Sequence, residues 1–364
     1  LVGSEMCIRD MSKTKNNQTD NDDLYKIYWE DTKMEFSATA GTAGGSLKAL
    51  FEVRDGDNLE NFKGKVTKAD SYSLTVENIS IDNIKSLNLP DKDGKITVNN
   101  ISYSYDSWEA QVDAQGNIKS VTFNLSKDKA IADPEKTVAE GYLLNAGSAI
   151  NARGIPYYMT QLNEFVRNFS EMFNQIESKG QNLNGDTPPT FFEAITNTAK
   201  VYDFSESEAY SKLPDGQTAT INSSSNTYYR MTAANFSVNK DVMNDVSLFA
   251  TSTDYVKTDS CDIVDELKKL QSEKTVYRGD KAESFLETII SNVSVDTEKA
   301  ETYNKLYSNL EQTIANQRTS VSGVDEDEEA LNLVKFQYSY NMASKIISVM
   351  NQMLDKLIND TGVA

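Results

Sequence analysis

Carboxylates are the most abundant ionisable side chains in this sequence. The chain of 364 residues has 55 Asp and Glu residues against 36 Lys and Arg residues, and it has no His. Carboxylates can transfer protons or bind hard cations, but a chain without His lacks the usual general base near neutral pH and the commonest zinc ligand. The composition therefore predicts that the protein is not an enzyme.

Two acidic clusters could in principle hold a cation. Asp91, Asp93 and Gly94 resemble the opening of a calcium loop, but the later ligands and the closing Glu are missing, so a hairpin turn is the better interpretation. The acids of residues 325–329 are consecutive, so on a helix they would point in different directions rather than converge. They suit the positive end of a helix dipole. We predict no metal and no cofactor.

Two further motifs are too incomplete to define a site. The glycine-rich residues 41–46 precede a predicted helix at 47–54, yet they lack the Lys-Ser/Thr ending of a phosphate loop and the GxGxxG spacing. Cys7 and Cys261 are too few for a disulfide framework and lack metal-ligand spacing. Neither nucleotide chemistry nor redox chemistry is predicted.

The clearest pattern in the chain is a heptad repeat near its C-terminus. Apolar residues alternate at spacings of three and four, and these seam residues are Leu333, Phe336, Tyr340, Ala343, Ile347, Met350, Leu354 and Leu357. A second apolar row lies about 100° round the helix and comprises Met342, Ile346, Val349 and Met353. This face is wider than a two-stranded seam, so we predict an assembly interface with more than one neighbour.

The ends of this helix and two other helical repeats are also predicted. Residues 318–323 are interpreted as a polar joint, with Ser322 and Gly323 suited to the helix start and Gly362 to its end. A repeat from Ile155 to Ile176 and another from Ala300 to Gln317 show similar spacings. Amphipathic helices usually bury one face in their own domain, and we predict that these two do so.

Three motifs carry a resemblance to a known family. They are GGSLKALFEVRD at residues 44–55, GIPYYMTQLN at residues 154–163, and SGV followed by acids and LNLVKFQYSYNMASKIISVMNQMLDKLINDTGV at the C-terminus. Together they resemble the bacterial flagellar axial proteins of the rod, hook and hook-associated group. Within that group, the first two motifs are most similar to the hook-associated proteins of the hook–filament junction. The resemblance extends from about Leu24 to Ala364.

The resemblance implies a structural subunit that joins hook to filament. It implies outward-facing β domains, a helical inner domain, and terminal helices that pair and pack with neighbouring copies in a ring. It also implies the hook protein, the next hook-associated protein and an export chaperone as partners. Localisation would be extracellular, in the flagellum, reached by the flagellar type III route without a cleaved signal peptide. Nothing before Leu24 resembles the family's N-terminal helical segment, so we expect the C-terminal portion of a longer protein.

The fold class predicted is elongated, multi-domain α+β, with an antiparallel β domain inserted into a helical inner domain. The segments are a disordered or foreign head (1–23), a hairpin and short helix (24–61), the inserted β domain (62–142), an inner-domain helix (143–182), a loop-rich outer segment (183–258), inner-domain helices (259–322) and the terminal axial helix (323–364). The net charge of −19 without a basic stripe argues against nucleic acid and anionic membranes as partners.

Three alternatives stay open at this stage. Another axial protein, such as a hook or distal-rod subunit, shares the C-terminal pattern. A secreted surface adhesin could use the β domain, residues 62–130, to bind a glycan or a host protein. A carboxylate-based hydrolase is the third, and the sequence offers no convergent acid pair for it.

Overall fold

The structure is a computed structural model that describes residues 10–15, 23–28, 44–91, 94–126, 131, 134, 138, 140–147, 149–196, 200–256, 260–273 and 275–360. The chain divides into two compact units, Leu1–Ile289 and Ile290–Ala364. Each unit is described by itself. The architecture is mixed α and β, as predicted.

The elements are numbered in chain order. The helices are α1 (Gly45–Asp55), α2 (Ile155–Glu177), α3 (Ser205–Ser211), α4 (Lys240–Asn244), α5 (Asp262–Ser272), α6 (Ala282–Ser322) and α7 (Glu326–Asp360). The strands are β1 (Asp10–Lys15), β2 (Asp23–Tyr28), β3 (Phe62–Asp70), β4 (Ser73–Glu77), β5 (Gly94–Val98), β6 (Ile101–Val112), β7 (Ile118–Leu125), β8 (Leu143–Ala146), β9 (Phe192–Ala194), β10 (Ala219–Asn222), β11 (Phe236–Val238), β12 (Thr275–Tyr277) and β13 (Asp280–Lys281).

The N-terminal strands differ from the sequence prediction. Strand β1 lies in the head that was predicted to be disordered, and it pairs antiparallel with β2. Such a ladder satisfies backbone groups of both strands, so a polar segment can form it without an apolar face. The second strand of the hairpin predicted within residues 24–61, together with Cys7 and Gly362, lies outside the described residues. Helix α1 confirms the predicted short helix after the glycine-rich stretch.

Strands β3 to β8 form a closed antiparallel barrel. The order is β6-β5-β8-β3-β4-β7, and β7 pairs back onto β6, which closes the sheet. Alternation along each strand sends apolar side chains inward, and the barrel core includes Leu74, Val76, Ile96, Tyr105, Trp108, Val121, Phe123 and Leu144. Closure leaves few unpaired strand edges.

The sheet extends beyond the predicted β segment of residues 62–142. Strand β8 follows that segment directly, and β10 comes from the segment predicted to be loop-rich. Strand β10 pairs with the second half of β6, and its Ile221 joins the barrel core. Both strands have only four residues, so alternation alone is too brief to reveal them.

Helix α2 connects the remainder of the first unit. Its aromatic side chains Phe165, Phe169 and Phe173 are partly buried against Ile263 and Leu270 of α5. Segment 192–231 packs on another side of α2, where Ala194, Phe204, Tyr228 and Met231 form a small core. The prediction that the α2 repeat packs inside its own domain is confirmed for Val166, Phe169, Phe173 and Ile176, whereas Ile155 at the start of the repeat is 54% exposed.

The second unit consists of the end of α6 and helix α7. Helix α6 runs without a break to Ser322, so the polar joint predicted for residues 318–323 is corrected to residues 323–325. Helix α6 contains no Gly or Pro, so the first helix-breaking residue after its start is Gly323. The N–H of Gly323 donates to the carbonyl oxygen of Thr319. None of the helices in the described ranges is long and apolar enough to cross a membrane.

Candidate assembly interface

The heptad seam of α7 is exposed along its whole length. Phe336 and Tyr340 each expose 73% of their surface, and Leu333 exposes 70%. Farther along, Ile347 is 59% exposed and Leu357 is 63% exposed. The other seam residues, Ala343, Met350 and Leu354, are exposed as well. Large apolar side chains in a continuous row are unusual on a monomer surface and are typical of an interaction surface.

The second apolar row of α7 is equally open. Met342, Ile346, Val349 and Met353 are all exposed, so the two rows form one broad apolar face. No residue of α7 is buried within the described part of the chain. The width of the face fits packing against several neighbours better than a single paired helix.

The acidic run at the start of α7 forms a helix cap. The Oδ1 atom of Asp325 accepts hydrogen bonds from the backbone N–H groups of Asp327 at 3.0 Å and Glu328 at 3.4 Å. Asp325, rather than Ser322 or Gly323, therefore starts the helix. The acids that follow lie in the first turn, where the helix dipole favours negative charge.

Helix α6 exposes a second apolar stripe. Tyr303, Tyr307, Leu310 and Ile314 are between 48% and 64% exposed. The prediction that this repeat is buried in its own domain is wrong. The repeat has the correct spacing for a buried face, but within the described residues no other element covers it. Spacing identifies an apolar face and leaves open what packs against it.

Two of the three sequence motifs meet at a backbone contact. The N–H of Gly154 donates to the carbonyl oxygen of Gly56 at 3.0 Å, directly after α1 ends. A Cβ atom on Gly154 would lie 2.5 Å from the carbonyl oxygens of Glu52 and Val53. Only glycine permits this approach, and the contact connects the motif at residues 44–55 with the start of α2.

Helix α2 also has a buried polar face, which the sequence analysis missed. Arg167 is 2% exposed, and its guanidinium donates to the carbonyl oxygens of Lys85, Leu87 and Met231 at 2.7–2.8 Å. Next to it, Glu171 forms an ion pair with Lys85. Arg167 thus connects the helix with the loop at residues 84–89 and with Met231.

Further along the same face, Asn174 and Glu177 bind backbone groups. The Asn174 amide donates to the Phe192 carbonyl and to the Tyr228 hydroxyl, each at 2.9 Å. The Oε1 atom of Glu177 accepts from the N–H of Ala250 at 2.7 Å, and its Oε2 atom has no hydrogen-bond partner among the described residues. Burial raises the pKa of Glu177 to about 7.

The described residues contain no group of acids or cysteines that could hold a metal ion. The polar groups brought together along α2 bind backbone groups of distant segments. Their arrangement stabilises the fold. The apolar faces of α6 and α7 are exposed in the described structure.

Comparison with known proteins gives a family match at the C-terminus and a relative that matches most of the chain. Residues 315–360 match the family model described as flagellar basal body rod FlgEFG protein C-terminal. The chain is also 21% identical over 341 residues to flagellar hook-associated protein 1 of Bacillus subtilis strain 168. That match covers 92% of this chain and 56% of the relative, so the chain spans little more than half the length of that protein.

The two matches agree with the geometry. The family model overlaps α7 and the end of α6, which are the exposed helices. The match to the relative extends over most of the chain, including the barrel. The resemblance drawn from the three motifs is confirmed: this chain is similar to flagellar hook-associated protein 1 over most of its length, and residues 315–360 are similar to the C-terminal family of flagellar basal body rod proteins.

Proposed function

We propose that this chain is a structural subunit of the bacterial flagellum that joins the hook to the filament. It assembles into a ring through its terminal helices, and the seam from Leu333 to Leu357 forms the contacts between subunits. The observation that carries this proposal is the exposure of the seam in the isolated chain. Removal of such a face from water by contact with another molecule lowers the free energy of the system.

The partners proposed are other copies of the chain, the hook protein, the next hook-associated protein and an export chaperone. The protein acts outside the cell after export by the flagellar type III route. Its role is structural rather than catalytic, and it depends on the geometry and strength of its contacts with other subunits. The similarity to flagellar hook-associated protein 1 supports this set of partners.

A hook or distal-rod subunit is the second candidate. The description of the matching family model favours it, because that description refers to the basal body rod. The match across 92% of the chain favours the hook-associated assignment, since it includes the barrel as well as the terminal helix.

Assembly order distinguishes the two candidates. A subunit that joins hook to filament is added after the hook, so cells that lack it should build hooks without filaments. Loss of a rod subunit should leave cells without hooks. Electron microscopy of a deletion strain of the bacterium that encodes the chain gives the answer, and intact filaments in that strain would contradict both candidates and favour an adhesin.

Truncation tests the role of the terminal helix. Deletion of residues 333–364 should abolish incorporation into the flagellum while the barrel stays folded. Incorporation is measured by immunoblot of purified flagella, and barrel folding by near-ultraviolet circular dichroism of the purified variant. Normal incorporation of the truncated chain would refute the proposal.

A further inference from the structure

A shallow cavity lies on the outer face of the barrel. It has a volume of about 300 Å³ and is lined by Thr97, Asn99, Asn100, Tyr142, Leu143 and Asn145. These residues come from two adjacent strand segments. Thr97 on β5 is paired in register with Asn145 on β8, and the turn that follows β5 continues past Leu143 and Tyr142.

The cavity presents three side-chain amide groups that are not hydrogen-bonded within the described part of the protein. The side chains of Asn99, Asn100 and Asn145 form no hydrogen bond with another group in the described part of the chain. Asn99 and Asn100 have positive φ angles of 48° and 62°. Backbone conformation explains why Asn is present at these two positions, because Asn tolerates the left-handed region in a turn. Backbone conformation does not explain Asn at position 145, since this residue lies inside a strand, where Asn is disfavoured.

Exposed apolar side chains adjoin these amides. Tyr142, directly before β8, is 39% exposed, and Leu143, the first residue of β8, is 52% exposed. Leu143 and Asn145 are two residues apart on β8, so both point outward on the same face. The cavity therefore combines an aromatic ring and an aliphatic side chain with neutral donors and acceptors.

The lining residues carry no charge. Lys63 and Lys65 on β3 are paired with Asn145 and Leu143, but neither lines the cavity, and the Nζ atom of Lys63 donates to the carbonyl oxygen of Leu59. A ligand for such a site needs hydroxyl or amide groups that both donate and accept, and an apolar face to lie against a ring. Neutral sugars have this combination.

We propose that the cavity lined by Tyr142, Asn145 and the Asn99–Asn100 turn binds a neutral saccharide. The ring of Tyr142 would contact the apolar face of the sugar, and the three amides would bind its hydroxyl or acetamido groups. This binding role is additional to assembly and does not depend on it, because the cavity lies in the barrel rather than on the terminal helices.

Saturation-transfer difference NMR on the full chain tests the proposal. The probes are cellobiose and N,N′-diacetylchitobiose, with digalacturonate as an anionic sugar of similar size. A shallow site of this kind should bind the neutral probes with a dissociation constant on the order of 1 mM. Absence of signal from both neutral probes, or binding of digalacturonate alone, would overturn the proposal.

Two variants locate the site. Tyr142→Ala should weaken binding of the neutral probes about tenfold through loss of ring contact. Asn145→Val should weaken binding as well, and because Val is a better strand former than Asn, unfolding would not explain the loss. Tyr72→Ala is the matched control, since Tyr72 is another exposed barrel tyrosine and lies outside the cavity. Equal binding by Tyr142→Ala and Tyr72→Ala would refute the assignment.

Discussion

The Cζ atom of Arg167 lies 4.6 Å from the centroid of the Tyr229 ring. The ring of Trp108, in the barrel core, meets Tyr229 edge-on at a centroid distance of 5.0 Å. The Tyr229 hydroxyl donates to the carbonyl oxygen of Leu89 at 2.6 Å and accepts from the N–H of Leu89 at 3.1 Å. Tyr229 thus joins the barrel, the loop that contains Leu89 and helix α2 in one packed junction.

Replacement of Arg167 by Ala should destabilise the first unit strongly. The change removes the cation–π contact and leaves the buried carbonyl groups of Lys85, Leu87 and Met231 without their donor, at a cost of about 3 kcal/mol or more. Urea unfolding followed by circular dichroism measures the change. Arg230→Ala is the control, because Arg230 also lies over a tyrosine ring, that of Tyr202, but is less buried. Equal losses from the two variants would contradict the account of the junction.

The pH dependence of stability should reveal the buried carboxyl of Glu177. Its pKa is raised from the ordinary value of 4.5 to about 7, so the folded state binds its proton more tightly than the unfolded state does. Stability from this group is therefore present below pH 4.5 and is lost as the pH rises towards and through 7.

Glu177→Gln should remove this pH-dependent loss. The amide oxygen can still accept from the N–H of Ala250, and no charge forms at high pH. The variant should be more stable than the parent chain by about 1–3 kcal/mol at pH 8, with little difference at pH 4. Chemical denaturation at the two pH values gives the difference between variant and parent. A gain of equal size at both values would mean that ionisation of Glu177 is not its cause.

Addition of one methyl group should disrupt the contact between the two internal motifs. In Gly154→Ala the new Cβ would meet the carbonyl oxygens of Glu52 and Val53, and overpacking against backbone costs about 1–3 kcal/mol. Gly44→Ala, at the start of the other motif, is the control, because a Cβ at that position meets no atom within 4 Å. Thermal unfolding of both variants is the measurement, and an unchanged midpoint for Gly154→Ala would show that the backbone contact is not tight.

Limited proteolysis should separate the two units of the chain. Trypsin sites such as Lys299, Lys305 and Lys335 lie on exposed helices of the second unit, whereas the barrel backbone is paired in a closed sheet. We expect rapid cleavage in residues 290–360 and a resistant fragment that contains the barrel. Mass spectrometry of the products identifies the sites. Cleavage of barrel and terminal helices at equal rates would show that the helices are already covered in the isolated chain.

Features that depend on local periodicity could be predicted from the sequence. The seam of α7 and the repeat in α2 follow from spacings of three and four, and the alternation around Leu74 and Trp108 indicates strands of an antiparallel β domain. The physical reason is that a helix or strand with one apolar face has apolar residues at the spacing of its own repeat, and this spacing is visible in the sequence.

Features that depend on distant partners could not be predicted. Arg167 and Glu177 look like the solvent face of an amphipathic helix, and their burial is explained only by carbonyl and N–H groups of segments far along the chain. Strand β10 is too brief to show alternation, and barrel closure depends on the pairing of β7 with β6. For the stripe on α6, the spacing gave the apolar face but not its exposure.

Incorporation of seam variants into the flagellum tests the central claim most directly. Phe336→Ser combined with Ile347→Ser would place polar groups in the seam of α7. Val334→Ser is the control, because Val334 is also exposed but lies about 200° round the helix from Phe336. The measurement is the amount of each variant in purified hook–filament structures, divided by the amount secreted into the medium. We predict that the double variant is secreted but excluded from the structure, while the control is incorporated normally. Normal incorporation of the double variant would show that the seam is not the assembly interface.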